Sequence, residues 1–142
     1  MLEFNYAKGR IIDSLQFVAT EMKEFEEDYT SKSWKEYKED RKLQKLMDRT
    51  VENIFTTLIE ICGTLLSRQG IAAESYSQIM SECAKKLGFT RDEQIVFGKI
   101  AIQRNRLAHR YLNFRWQSIN MFVNNKTLIL RLLKKISEES TE

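Results

Sequence analysis

The chain has no proline and only five glycines among its 142 residues. Tight turns and hairpins draw on both residue types, so folds made of many short strands are disfavoured and long helices joined by short loops are expected. Cysteine is almost as scarce. Cys62 and Cys83 lie far apart and form no CxxC pair, which argues against a zinc knuckle, a redox motif or a disulfide framework and fits a reducing cytoplasm. Both read as small apolar fillers on helix faces. Histidine occurs once, at His109, so the chain offers no histidine set for a metal. Any chemistry that needs two imidazoles must draw on a second copy of the chain.

Long uncharged apolar runs are also missing, and Met1 to Lys8 carries no apolar leader core. Neither a membrane span nor export by a cleaved leader is expected. Net charge is only +3, far from the balance of a protein that coats nucleic acid non-specifically. A nucleic-acid partner would have to be met by a local basic cluster. No GxxxxGK[ST], GxGxxG or HExxH pattern is present, and no cofactor or metal is expected.

Helical periodicity is plentiful. Ile11, Leu15, Val18, Met22, Phe25 and Tyr29 follow spacings of four and three, a helix stripe. It breaks near Thr30 to Ser33, where Ser33 and Glu36 form a capping box for the next helix. The acidic residues around the break, from Glu21 to Asp40, read as a solvated face or loop. A second helix carries Leu43, Met47, Val51, Ile54, Leu58, Ile61 and Leu65, with Leu46, Phe55, Ile59, Cys62 and Leu66 beside them. That much apolar circumference predicts burial on two sides, in the centre of a bundle or against a partner subunit. Gly70 is placed to end it in a left-handed cap. Ser75 with Gln78 and Thr90 with Glu93 make two further capping boxes, the last opening a helix that runs into residues 104 to 111. A final helix from about Asn113 carries Trp116, Ile119, Phe122, Val123, Ile129, Leu130, Leu133 and Ile136, and residues 137 to 142 read as a frayed tail. The expectation is one all-α domain over residues 1–142, an up-and-down bundle of four to five helices.

One arginine interrupts an apolar stripe. Phe97, Ile100, Ala101, Arg104, Leu107, Ala108 and Tyr111 share a face on a continuous helix, so Arg104 must snorkel, pair with a carboxylate such as Asp48 or Glu52, or face a cleft. Asn105 and His109 are four apart. Lys99, Arg106, Arg110 and Arg115 surround them, and no acidic residue occurs from 99 to 115. Arginine offers phosphate a bidentate fork and histidine exchanges protons near neutrality, so the stretch suits an RNA or nucleotide phosphate. Tyr111 and Trp116 are aromatic candidates for stacking on bases. The plainer alternative makes Arg104 an ion-pair member, His109 a surface or cap residue and both aromatics core. A Cys–His catalytic pair exists as residue types only; nothing in the spacing supports it.

The segment Arg104-Asn105-Arg106-Leu107-Ala108-His109-Arg110-Tyr111 resembles the RxxxxHxY motif of HepT-like toxins in the HEPN superfamily. Asp40-Arg41-Lys42-Leu43-Gln44-Lys45 opening the second helix, Glu74-Ser75-Tyr76 before the third, and the order and lengths of the helices extend the likeness over most of the chain. The resemblance implies an all-helical homodimer with both motifs beside one cleft. It implies a metal-independent endoribonuclease toxin of a type VII-like toxin–antitoxin pair, with transfer RNA among its candidate substrates. By position, Arg104 and His109 are then the catalytic pair, and Asn105 with Asp48 or Glu52 the supporting residues. Lys99, Arg106, Arg110 and Arg115 become RNA-binding residues, and Tyr111 the tyrosine to which a minimal nucleotidyltransferase antitoxin transfers AMP. The alternative within the same resemblance is a non-catalytic nucleotide-binding or docking subunit for that nucleotidyltransferase.

Overall fold

A computed structural model describes residues 2–140, with side chains described for residues 10–139. Met1, Thr141 and Glu142, and the side chains of the opening residues read for a leader, lie outside the described part. Seven helices and no strand occur among the described residues: α1 (Leu2–Asp28), α2 (Trp34–Glu39), α3 (Arg41–Arg68), α4 (Tyr76–Lys86), α5 (Arg91–Arg106), α6 (Leu112–Asn124) and α7 (Lys126–Ser140). The all-α expectation holds. No described helix is long and apolar enough to cross a membrane.

The helix count exceeds the expected four to five because two side chains divide what the periodicity joined. Asp40 sits in extended backbone, ends α2 and caps α3 by accepting the Leu43 N–H at 3.0 Å. Asn125 donates from its amide to the Met121 carbonyl at 2.8 Å, drawing a helix acceptor into a local bond and parting α6 from α7. The division resets the inward face: Ile129, Leu132, Leu133 and Ile136 are buried on α7, whereas Leu130 is exposed. Helix α7 itself continues through Ser140, beyond Ser137 where the tail was expected to fray.

Capping explains most of the other ends. The Ser33–Glu36 and Thr90–Glu93 boxes form reciprocally. Ser75 accepts from the Gln78 N–H, but the Gln78 side chain accepts from the Glu74 N–H instead of closing the expected box. Gly70 follows α3 at φ +72°, the left-handed region in which a side chain is strained.

Helix α3 is the axis of the fold, touching α1, α2, α4, α5 and α6. Its stripe from Met47 to Leu66 is buried within the chain, so its wide apolar surface is used internally and does not call for a partner subunit. Leu46 alone of that set is exposed. Ile11, Val18, Met22 and Phe25 of α1, and Tyr29 just past its end, pack inward as expected. Phe122 of α6 meets Phe25 and Phe55 edge-on, with ring centroids 5.0 and 6.3 Å apart, and joins three helices. Helices α4 and α5 pack closely at Gly98, where a Cβ would lie 3.1 Å from Ser77 Oγ. There the Ser77 hydroxyl donates to the Gly98 carbonyl at 2.9 Å. This crossing brings the start of α4 beside the end of α5.

Phe122 is fully buried. Phe122→Ala should therefore cost about 3–5 kcal/mol, read by chemical denaturation, by loss of transfer energy and creation of a cavity. A loss below about 1 kcal/mol would contradict this account of the core.

Candidate active site

Helix α5 ends at Arg106, earlier than the sequence suggested, so the motif is divided between a helix end and a connection. Arg104 and Asn105 stand in the last turn, whereas His109 and Tyr111 lie between α5 and α6. The ending has a local cause. The His109 N–H reaches back to the Arg106 carbonyl at 3.0 Å, and the Tyr111 N–H donates to His109 Nδ1 at 3.2 Å, so neither continues the helical ladder. Asn105 and His109 are thus not stacked on one helix face, and Tyr111 does not share the face of Arg104.

Two buried residues hold the connection. Leu107 is inserted into the core. Ser118 of α6 lies 2.8 Å from Gln103 Oε1 and 3.0 Å from the Gln103 carbonyl, tying α6 to the end of α5. With the corner fixed, the His109 ring packs against Tyr111 and Phe114, each with centroids 4.9 Å away. Its Nδ1 accepts a proton donor, so the neutral ring carries its own proton on Nε2. His109 is exposed overall.

Arg104 faces a cleft between α3 and α4. Its Nε donates to Thr56 Oγ1 at 2.9 Å, and its guanidinium lies 5.9 Å from the centre of the Tyr76 ring. Nη1 also reaches Asn105 Oδ1 at 3.5 Å, at the limit of a hydrogen bond. No carboxylate comes within ion-pair distance of it among the described residues, so the pairing with Asp48 or Glu52 that the sequence allowed is absent. A partly buried guanidinium held by a hydroxyl and an aromatic face keeps its charge available for an anion.

Asp48 serves a different group. It accepts from the Tyr37 hydroxyl at 2.6 Å and from Arg115 Nη1 at 2.7 Å, uniting α2, α3 and the first turns of α6. Burial holds the Asp48 carboxyl above the usual carboxylate range, against the two donors that favour its charge. Burial and the Asp48 acceptor push the Tyr37 phenol far upward. Arg115 therefore turns inward to Asp48 and not toward solvent. Trp116 likewise packs at a tilt against Tyr37 and Trp34, with centroids 4.9 and 5.8 Å away, leaving Tyr111 the exposed aromatic of that pair. Glu52 is half-buried, and its charge reinforces the rise at Asp48.

Arg110 and Arg106 pack on the rings that flank His109. Arg110 lies 5.2 Å from the Tyr111 ring centre and donates to the Tyr111 hydroxyl at 3.3 Å. Arg106 spans to Gln117 and lies over Phe114 at 5.9 Å. Lys99 is exposed on the same side of α5 as Arg106, two turns earlier. Helix α6 follows Tyr111 at its N-cap with no side-chain cap and no acidic residue in its first turn, leaving the positive end of its dipole beside the imidazole.

Thr56 and Tyr76 were missed in the sequence. Asp48, Glu52, Thr56 and Glu60 recur every four residues, a polar line on an otherwise apolar helix that pointed to Thr56. Tyr76 entered the sequence reading only through the Glu74-Ser75-Tyr76 likeness. No group of three or more His, Cys, Asp or Glu is arranged to hold a metal among the described residues. Cys62 and Cys83 are buried and unbridged, and their mutual hydrogen bond together with burial raises the Cys62 thiol, consistent with filler and not nucleophile.

A family model for HepT-like ribonucleases matches residues 18–138, from within α1 nearly to the end of α7. The chain belongs to the HepT-like ribonuclease family. No curated protein matches it.

The raised Asp48 gives a pH signature. Between the ordinary carboxylate pKa and the higher folded value, the folded chain binds a proton that the unfolded chain has released, so this group's contribution to stability falls as pH rises through that window. Subtracting the stability–pH curve of Asp48→Asn from that of the parent should leave this downward slope; a flat or rising difference would contradict the burial argument.

Proposed function

We propose that the chain is an endoribonuclease toxin that cleaves RNA through attack of a ribose 2′-hydroxyl on the adjacent phosphate. The 2′-oxygen–phosphorus bond forms, the bond from phosphorus to the 5′-oxygen breaks, and the products carry a 2′,3′-cyclic phosphate and a 5′-hydroxyl. The observation that carries this reading is the exposed His109, held through Nδ1 by the Tyr111 N–H in the connection that follows Arg104, an arginine with no carboxylate partner among the described residues, in a chain of a ribonuclease family. Arg104 stabilises the charge that grows on the phosphoryl oxygens, and His109 moves a proton through Nε2. Asn105 supports the guanidinium, while Arg106, Arg110 and Lys99 draw the strand in. Arg115 acts through Asp48, which makes the pair a positioning device for α6.

The reaction gains from both a base for the 2′-hydroxyl and an acid for the departing 5′-oxygen. One chain has one imidazole. The proposed working unit is a homodimer in which the two His109 rings share a cleft, without a metal ion. The argument for two copies is chemical, since α3 spends its apolar surface inside the chain.

Regulation is proposed at Tyr111, which is half exposed with its hydroxyl beside Arg110. A minimal nucleotidyltransferase antitoxin would join the tyrosine oxygen to the α-phosphorus of ATP and release pyrophosphate. The added nucleotide places bulk and negative charge beside His109 and blocks an RNA phosphate by sterics and repulsion.

Arg104→Ala and His109→Ala should each lower RNA cleavage at least about a hundredfold while the chain stays folded. Full cleavage by purified His109→Ala would overturn the mechanism, and RNA binding without any cutting by the parent would favour the non-catalytic nucleotide-binding alternative. Intact-mass measurement after incubation with the antitoxin and ATP should show AMP addition that Tyr111→Phe abolishes; silencing without addition would mean inhibition by binding alone.

A further inference from the structure

The cleft that receives Arg104 continues into a groove of about 230 Å³ between α3 and α4, lined by Thr56, Glu60, Gly63, Tyr76, Ile79 and Arg104. Its volume falls below the range of about 300–1,000 Å³ usual for drug-sized ligands, so it suits a single planar heterocycle. The walls differ in chemistry. Ile79 and the side-chain-free Gly63 make an apolar floor, and Tyr76, at 55% exposure, supplies an aromatic face that nothing in the core requires. Glu60 is exposed and forms no ion pair among the described residues. A cationic guanidinium, a half-exposed aromatic ring and a carboxylate without an ion pair among the described residues match the phosphate, base face and base edge of a nucleotide.

We propose that this groove is a subsite for one unpaired RNA base, stacked on Tyr76 and read along its edge by Glu60, with its phosphate at Arg104. The inference rests on the ribonuclease reading for the place of the phosphate and adds which part of the strand is recognised. Stacking is tolerant of sequence, because every base has a π-face. The carboxylate is selective. It accepts from the exocyclic amino group of adenine, cytosine or guanine, whereas uracil presents two carbonyl oxygens flanking one N–H and is repelled. Thr56, already accepting from Arg104 Nε, keeps the guanidinium at the mouth and out of the base position.

The test uses the full chain and short single-stranded oligonucleotides of adenine, cytosine or uracil with 2′-O-methyl ribose, which bind but cannot react. Fluorescence anisotropy should show the adenine and cytosine strands binding several-fold tighter than the uracil strand. Tyr76→Ala should weaken the adenine and cytosine strands about tenfold, and Tyr76→Phe, which keeps the stacking face, should recover most of that loss. Glu60→Gln should reduce the preference over uracil. Unchanged affinity in folded Tyr76→Ala overturns the subsite, as does a change in oligomeric state with RNA binding intact, which would make the groove a protein interface. Parallel cleavage of ordinary RNA separates the two claims: cutting that is indifferent to Tyr76 sinks the subsite alone, whereas Tyr76-dependent binding without cutting sinks the ribonuclease reading alone.

Discussion

A carboxylate on the central helix holds the working end of the molecule together. Asp48 lies where α2, α3 and α6 meet and binds the Tyr37 hydroxyl and the Arg115 guanidinium with short bonds. Removing one partner from such a pair leaves the other desolvated, which is why the penalty for breaking it exceeds the net value of forming it. The aromatic layer of Trp34, Tyr37 and Trp116 is built around the same point. Because Arg115 follows Tyr111 by one turn, the pair also sets where α6 begins and so where the His109 connection lies. Of the two acids expected beside Arg104, Asp48 is engaged by Tyr37 and Arg115 instead.

At that connection, local competition for backbone groups makes the site. A continuous helix would have given the Tyr111 N–H to the Leu107 carbonyl; instead His109 Nδ1 takes it, and the imidazole presents Nε2. The same exchange separates the surroundings of the two candidate catalytic side chains. Arg104 looks into the α3–α4 cleft with Thr56 and Tyr76, and His109 packs with Tyr111 and Phe114. A substrate strand that touches both must therefore span from groove to loop, which suits a polymer better than a small anion.

The inward stripes of α1 and α3 were legible because a buried helix must repeat its apolar residues at the helical period, and Ile11 through Tyr29 do so without a contrary signal. Caps at Ser33, Asp40, Ser75 and Thr90 were partly legible because they act within four residues. Asp40 was read as opening the second helix but not as the break that parts it from a helix begun at Ser33. What could not be read is non-local. The Asp48–Arg115 pair joins residues 67 positions apart and the Arg104–Thr56 bond residues 48 apart, and periodicity on one helix does not contain either. The early end of α5 was hidden differently: the apolar spacing through Leu107 and Tyr111 imitates a continuous stripe, although only Leu107 enters the core. The motif itself was legible as residue types, and its division between helix and loop was not.

The central claim is a chemical one, that this HepT-like chain cuts RNA with its own arginine and histidine through the neighbouring 2′-hydroxyl. End-group analysis of RNA incubated with the purified chain in excess EDTA tests it most directly. The account predicts cleavage that leaves 2′,3′-cyclic phosphate and 5′-hydroxyl ends. Cleavage that requires a divalent metal, or that leaves 5′-phosphate and 3′-hydroxyl ends, would contradict it.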